Sequence, residues 1–321
     1  MPGFVIHPLD AEDAAFIRSI RSSGHIGKGM LRSTAARESF DLLMESVQPR
    51  SDVTFETDRI GGIPGLWVRP ANTLSDAAIL HLHSGWFGFG SAAAFRHLVG
   101  HIAARAGTAA FIPDYRLAPE HPFPAAIDDV MACYRGLDKK SFLRIAVTGD
   151  SAGGNLALVL ASQIAGGGGF AKAILAAVAV FSPVTDLTLS GESYETRAAA
   201  EPYFTREQIA FLVHAYLGDA NPKNPLASPL YGSLSGLAPV RVHVGDDEVL
   251  LDDSRRYVER AVAAGVDAGL DVWLGMSHGF AGSVGTLKAS GLALDAVGAF
   301  LARAMGPASM APRSVFDTSE F

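Results

Sequence analysis

The chain of 321 residues has one cysteine, few charges and no long apolar run. The lone Cys133 can form neither an internal disulfide nor a cysteine-based zinc site, which fits a reducing compartment. Only 18% of the residues are charged, and 33 acidic residues against 26 basic ones give a net charge of −7. This acidic balance disfavours a nucleic-acid-binding protein, because such proteins usually present a basic face.

The sequence also predicts neither a membrane-spanning nor a targeting segment. The longest apolar run, residues 173–181, has about half of the ~18 residues that a spanning helix needs. The first residues lack the basic region and apolar stretch of a signal peptide. Since 49% of the residues are apolar, intrinsic disorder is excluded as well. We therefore expect a folded cytoplasmic protein with no membrane partner.

From residue 51 onward, short apolar segments alternate with helical patterns. Eight strands are predicted, at residues 53–57, 66–69, 77–83, 108–113, 144–149, 173–181, 240–245 and 271–274. Five helices are predicted between or after them, at residues 95–106, 125–136, 152–165, 254–264 and 287–303. This alternation predicts an α/β fold with a mostly parallel eight-stranded sheet and helices on both faces.

Two segments interrupt the alternation. Residues 1–50 look helical and polar with no strand, and residues 184–232 are helical and rich in aromatic residues. Because long inserts in α/β units are usually functional, we interpret these two segments as the parts of a helical cap over the carboxyl edge of the sheet. The core then comprises residues 51–183 and 233–305, and residues 306–321 form a tail.

The strongest candidate for a catalytic residue is Ser151, in the segment Gly149-Asp-Ser-Ala-Gly-Gly154. This G-x-S-x-G pattern follows a predicted strand and opens a predicted helix, which is the context of a nucleophile elbow. Small residues on both sides of the serine let the backbone turn sharply enough to present its hydroxyl. A phosphate-binding turn is the alternative, but neither a P-loop lysine nor a G-x-G-x-x-G pattern accompanies it.

A serine nucleophile needs a histidine base, which follows the serine in chains of this topology. Three histidines do so: His214, His243 and His278. His214 lies in the insert, and His243 lies within an apolar strand, where a core role is expected. His278 follows the last predicted strand in a loop at the carboxyl edge of the sheet, so it is the candidate base.

The acid that orients the histidine should follow the strand at residues 240–245. Asp246, Asp247 and Glu248 are candidates there, and spacing alone does not separate them. Asp252 and Asp253 come directly before a helical pattern, and we interpret them as its N-cap and the neighbouring residue.

A negative oxygen formed during acyl transfer needs amide donors. The residue after the nucleophile, Ala152, supplies one. Others are expected from the glycine-rich stretch at residues 81–90, where the third predicted strand ends. Pairs of histidines on one strand or helix face are not completed by a carboxylate at a recognised spacing, so no metal is expected.

Together these residues resemble the bacterial hormone-sensitive-lipase-like esterases of the α/β-hydrolase fold, from about residue 50 to residue 305. The resemblance depends on four motifs in order: His83-Ser-Gly-Trp86 for the family's H-G-G-G, Asp114-Tyr-Arg-Leu-Ala-Pro-Glu-His-Pro-Phe-Pro124, Gly149-Asp-Ser-Ala-Gly153 and Ser277-His-Gly-Phe280. It implies ester hydrolysis by a Ser-Asp-His triad without a cofactor, under a helical cap. Ser151 matches the nucleophile and His278 the base, and the amides of Gly85, Trp86 and Ala152 match the oxyanion hole.

The chain departs from the family pattern at two points. Ser84 and Trp86 replace the first and third glycines of H-G-G-G, and since neither is proline both amides remain. We expect the Trp86 side chain to narrow the acyl pocket and to favour short acyl groups. At the acid, the family pattern D-P-L-x-D matches residues 248–252 without a gap. This match selects Glu248, where aspartate is usual, with Asp247 as the main alternative.

We therefore predict a carboxylic-ester hydrolase that acts on short-chain apolar or aryl esters through an acyl-enzyme. A lactonase, amidase or acyltransferase with the same triad is the alternative, and a non-catalytic small-molecule receptor is a further one. The expected partner is a small-molecule ester, and the oligomeric state is open, with a homodimer as a candidate. Seven aromatic residues are predicted to bind the substrate: Trp86, Phe87, Tyr203, Phe204, Phe211, Tyr216 and Phe280.

Overall fold

The computed structural model describes residues 3–22, 28–30, 33–140, 142–167 and 173–306. Within these ranges nine strands form one sheet: β1 Phe4–His7, β2 Val53–Ile60, β3 Ile63–Pro70, β4 Ala77–Leu82, β5 Ala110–Pro113, β6 Arg144–Asp150, β7 Ile174–Phe181, β8 Val240–Gly245 and β9 Ala268–Trp273. The α-helices are α1 Ala11–Ser22, α2 Arg37–Glu45, α3 Ala92–Ala106, α4 Ala125–Lys139, α5 Ala152–Ala165, α6 Ser193–Thr196, α7 Arg206–Leu217, α8 Leu251–Ala263 and α9 Lys288–Met305.

The strands lie in the spatial order β1-β9-β8-β7-β6-β4-β5-β3-β2. β2 and β3 are antiparallel to each other, and β3 is antiparallel to β5. All other neighbours are parallel, so the carboxyl ends of β4, β6, β7, β8 and β9 meet at one edge. The predicted α/β fold with a mostly parallel sheet is confirmed.

The sheet is apolar on both faces because each face carries its own core. Along β4, Ala78, Leu80 and Leu82 belong to the core that α4, α5 and α8 cover. The intervening Ala77 and Ile79 belong to the core that α3 and α9 cover. A strand that is buried on both sides reads as a continuous apolar run, which is why the central strands are visible in the sequence.

Two sequence-based expectations need correction. The sheet has nine strands rather than eight, because Phe4–His7, in a region predicted to lack strands, pairs with β9. This edge strand is mostly exposed, and its apolar run is only three residues long, from Phe4 to Ile6, so it lacks the longer apolar run of a buried strand. Asp252 and Asp253 do not cap α8, which begins at Leu251, but lie in its first turn. Their carboxylates accept hydrogen bonds from the insert instead, for example from the amide of Ser193 to Asp252 at 2.8 Å.

The predicted tail at residues 306–321 lies outside the described residues, apart from Gly306. None of the helices that the structure describes combines the length and the apolar character that a bilayer crossing requires.

Candidate active site

Four loops at the carboxyl edge of the sheet bring the predicted site residues together. Ser151 follows β6, Glu248 follows β8, His278 follows β9, and the loop at residues 83–90 follows β4. In open α/β sheets this edge is where ligands bind, because the loops that leave parallel strands converge there.

Ser151 has a strained backbone, with φ 56° and ψ −118°. Such a conformation costs about 1–3 kcal/mol in a residue other than glycine. Its neighbours hold it in place, since its amide donates to the carbonyl of Phe181 at 2.8 Å and its carbonyl accepts from the amide of Val184 at 3.2 Å. A serine fixed in this way between a strand and a helix has the geometry of a nucleophile elbow.

The glycines that flank Ser151 are required by close backbone approach. A Cβ on Gly153 would lie 1.9 Å from the carbonyl oxygen of Leu82, at the end of β4. A Cβ on Gly149 would lie 2.5 Å from the carbonyl oxygen of Gly153. Helix α5 therefore starts against the sheet only because both positions lack a side chain.

His278 and Glu248 are joined by a hydrogen bond from Nδ1 to Oε2 of 2.8 Å. The other carboxylate oxygen of Glu248 accepts from the hydroxyl of Ser182 at 2.7 Å and from the amide of Gly245 at 2.6 Å. Glu248 is fully buried. Because a carboxylate only accepts, Nδ1 of His278 carries the proton and Nε2 is left free to act as a base.

The other two acids of this loop have structural contacts of their own. Asp246 accepts a hydrogen bond through Oδ1 from the amide of Gly275. The amide of Asp247 donates to the carbonyl of Met276 at 3.1 Å. These bonds hold the loop after β8 against the loop after β9. Of the three acids that sequence spacing left open, Glu248 is the one in contact with His278.

The charges around His278 change its pKa. Burial alone would lower the pKa of the imidazole, but the hydrogen bond and charge of Glu248 raise it, as do the charges of Glu201 and Asp150. The net result is a pKa above the ordinary value of 6.5. The surroundings therefore stabilise the positively charged imidazolium.

The amides that are candidates for binding the oxyanion lie in the loop after β4 and at the N-terminus of α5. Trp86 has a left-handed backbone with φ 50°, and the preceding Gly85 has φ 121°. In the part of the chain that the structure describes, the amides of Gly85, Trp86 and Ala152 donate to no backbone carbonyl. Amides of this kind, near an α-helix N-terminus, can bind a negative oxygen.

Arg37 of α2 anchors this loop. Its Nε donates to the carbonyl of Gly88 at 2.8 Å, and its Nη2 donates to the carbonyl of Ala118 at 2.9 Å. The guanidinium also pairs with the exposed carboxylate of Glu120 at 2.7 Å. The N-terminal segment is thereby tied both to the β4 loop and to the motif at residues 114–124.

A cavity of about 320 Å³ lies over Ser151 and His278. Of the seven aromatic residues predicted to bind substrate, Trp86, Tyr203 and Phe204 line it. Phe204 contacts Trp86 with ring centroids 5.6 Å apart and contacts His278 at 5.5 Å. One wall of the cavity thus consists of aromatic rings next to the imidazole.

The other four aromatic residues do not line this cavity. Phe87 and Tyr216 are buried and stack on each other with centroids 3.8 Å apart. Phe280 is buried against Trp273, and Phe211 is 46% exposed on α7. Aromatic residues at helical spacing often serve the core, and the sequence does not distinguish that role from a pocket.

Seven other residues that line the cavity were not predicted from the sequence. Only the apolar spacing in and next to α2 and α3 and the position of β7 could have indicated them. They are Phe40, Leu43, Met44, Val47, Phe95, Leu98 and Phe181. Asp150, in the nucleophile motif itself, also lines the cavity, and its carboxylate lies 3.6 Å from His81.

The two remaining candidate histidines lie elsewhere. His214 is exposed on α7. His243 is buried in β8 and accepts a hydrogen bond from the indole of Trp273 at 3.2 Å, as expected for a core histidine. Among the described residues, no three histidine, cysteine or acidic side chains come together as metal ligands.

Comparison with known proteins agrees with this architecture. A family model described as alpha/beta hydrolase fold matches residues 79–282. An acetyl-hydrolase of Streptomyces hygroscopicus is 34% identical over 286 residues, which is 88% of this chain and 92% of that protein. A solved esterase from the bacterial hormone-sensitive lipase family is 36% identical and covers 94% of this chain and 100% of its own, with a TM-score of 0.85.

A further solved structure is that of the esterase EstE5, from a crystal soaked with p-nitrophenyl butyrate. It is 33% identical, covers 93% of this chain and 100% of its own, and has a TM-score of 0.86. The chain therefore belongs to the alpha/beta hydrolases and, within them, to the bacterial hormone-sensitive lipase family. The resemblance that four sequence motifs predicted is confirmed.

Proposed function

We propose that the protein hydrolyses carboxylic esters with short apolar or aryl groups through an acyl-enzyme on Ser151. The observation that carries this proposal is the buried hydrogen bond of 2.8 Å between His278 and Glu248, at the same sheet edge as the strained Ser151. The esterases and the acetyl-hydrolase to which the chain is similar support the reaction class. In this proposal Glu248 is the triad acid, although aspartate is usual in the family.

The reaction proceeds in two steps. Nε2 of His278 takes the hydroxyl proton of Ser151 while Oγ attacks the ester carbonyl carbon. The electron pair moves to the carbonyl oxygen, where the amides of Gly85, Trp86 and Ala152 stabilise it. The carbon–oxygen bond to the alcohol then breaks, and His278 returns its proton to the leaving oxygen.

Deacylation repeats the same proton transfers with water. His278 removes a proton from the attacking water, the tetrahedral intermediate collapses, and Oγ of Ser151 leaves with the proton that the imidazole carries. Glu248 stays ionised throughout and stabilises the imidazolium that forms in each step.

The cavity argues for neutral esters of limited size. Its volume of about 320 Å³ is at the lower end of the range for small-molecule sites, and Asp150 contributes a negative charge to its lining. We interpret residues 1–50, apart from β1, and residues 184–232 as the cap that closes this cavity. Trp86 and Phe204 would restrict the acyl group, which fits the p-nitrophenyl butyrate with which the EstE5 crystal was soaked.

The proposal is tested with a series of p-nitrophenyl esters and a serine-directed phosphonate. Ser151→Ala should lower kcat by at least about 10³-fold. The phosphonate should no longer label the peptide that contains residue 151, and the melting temperature should stay unchanged. Ser283→Ala changes a second serine in the cavity lining and should leave kcat within a few-fold. Retained turnover in Ser151→Ala, or faster cleavage of amides than of matched esters, would contradict the proposal.

A further inference from the structure

Glu201 is a buried carboxylate that the mechanism above does not use. It is fully buried, in the segment between α6 and α7 within the proposed cap. Ionised carboxylates are almost never buried completely unless specific partners compensate the loss of water. The hydrogen bonds of Glu201 therefore show what stabilises its carboxylate in this buried position.

Both oxygens of Glu201 accept hydrogen bonds from backbone amides. Oε1 accepts from Tyr203 at 2.8 Å, and Oε2 accepts from Val249 at 3.3 Å. A carboxylate that accepts through both oxygens has the pattern of the ionised form. Val249 directly follows Glu248, so this contact joins the cap to the loop that carries the proposed triad acid.

The segment around Glu201 also contacts the N-terminal part of the proposed cap. The ammonium of Lys28 donates to the carbonyl of Ala198 at 2.7 Å and to the main-chain carbonyl of Glu201. Three residues further on, Phe204 lies edge-on to the imidazole of His278. Glu201 is thus held where both parts of the cap meet the catalytic loops.

Three acidic groups act on His278 from three different elements. Glu248 comes from the loop after β8, Asp150 from the end of β6 and Glu201 from the cap, and each favours the charged imidazole. The groups that act on Glu201 in turn are His278, which favours its ionised form, and Glu248, which opposes it. Burial raises the pKa of Glu201, and Glu248 adds to this effect, whereas His278 and the amides of Tyr203 and Val249 lower it.

We propose, on the basis of the function proposed above, that Glu201 is a positioning residue through which the cap supports the triad. Its Oε2 holds the amide of Val249 and thereby the loop of Glu248. Its negative charge, together with that of Glu248, stabilises the imidazolium of His278 in the transition state. The docked cap consequently contributes to the rate as well as to the shape of the cavity.

Two variants test the charge and the contact. Glu201→Gln removes the charge and also replaces one accepting oxygen with an NH2 donor, so the pKa of His278 and the acid limb of the kcat/KM profile should fall by about one pH unit, and the plateau of kcat should fall about tenfold. Glu201→Asp keeps the charge but is too short to reach both amides. It should lower kcat while the acid limb stays at its wild-type pH.

The pKa of His278 is measured by NMR titration of the imidazole, assigned by the signal that His278→Gln lacks. This readout needs no turnover, so failure to hydrolyse any ester would contradict the proposed function while the titration still tests Glu201. Glu195→Gln removes a charge from an exposed cap position, 76% accessible, and should change neither quantity.

An unchanged pKa of His278 in folded Glu201→Gln would overturn the proposal. If Glu201→Gln does not fold, Glu201→Asp decides. A reduced kcat at an unchanged acid limb supports the positioning role, and a wild-type kcat overturns it.

Discussion

Nδ1 of His278 lies 2.8 Å from Oε2 of Glu248, and the other oxygen of that carboxylate is held by Ser182 and Gly245. The glutamate side chain is one methylene longer than the aspartate that is usual in this family. Its orientation is nevertheless fixed, because three donors from three parts of the chain converge on it.

The first prediction concerns this carboxylate. Glu248→Gln keeps the size of the side chain but removes the charge that orients and stabilises the imidazole, so kcat should fall by about 10³-fold. Asp247→Asn changes the neighbouring acid and should lower kcat by less than about threefold. Steady-state kinetics on one activated ester compares both variants. Equal and mild losses would contradict the assignment of either acid.

Trp86 should limit the length of the acyl group. The indole lines the cavity, packs against Phe204 and has φ 50°, so Trp86→Gly removes bulk at a position whose backbone suits glycine. We expect the ratio of kcat/KM for octanoate to that for butyrate to rise about tenfold. Phe211→Ala, on the exposed face of α7, is the control. A ratio that falls or stays constant in Trp86→Gly would show that another residue sets the limit.

Arg37 should stabilise the oxyanion loop from the N-terminal segment. Arg37→Ala leaves the carbonyls of Gly88 and Ala118 without their donor, so the free energy of unfolding should fall by about 1–3 kcal/mol, and kcat should fall with it. Glu120→Gln removes only the exposed ion pair with Arg37 and should cost less than about 1 kcal/mol. Urea unfolding and kinetics of both variants test this. Equal losses in the free energy of unfolding in the two variants would show that the ion pair, rather than the carbonyl contacts, accounts for the stabilising effect of Arg37.

Asp253 should make stability depend on pH. Burial raises the pKa of this carboxyl to about 7, against the lowering effect of the amide of Thr185. Because the folded-state pKa lies above the ordinary value of 3.8, the folded protein binds this proton more tightly than the unfolded chain. The contribution to stability is therefore complete below the ordinary pKa and is lost as the pH rises towards 7.

Asp253→Asn removes this titration. Relative to the wild type, its free energy of unfolding should increase by about 2–3 kcal/mol between about pH 5 and about pH 8. Urea unfolding at the two pH values measures the difference, and Asp219→Asn, at an exposed position, is the control. A difference between Asp253→Asn and wild type that is the same at both pH values would contradict the prediction.

The features that the sequence revealed are those with a local cause. The turn at Ser151 depends on a few adjacent residues, and the central strands are apolar throughout because both of their faces are buried. β1 is a strand because it pairs with β9, and its side chains are mostly exposed. Its apolar run of three residues, Phe4 to Ile6, is too short to predict a strand.

The sequence by itself determined the fold class, the family, and the strand ends that carry Ser151, His278 and the three candidate acids. Only the tertiary structure decided that Glu248 is the acid in contact with His278, and that Phe87 and Tyr216 pack against each other rather than into the cavity. It alone brought Glu201 to the amide of Val249. Spacing along the chain records which residues share a turn or a face. Contacts between distant segments depend on how loops converge at the edge of the sheet, and that information is not local.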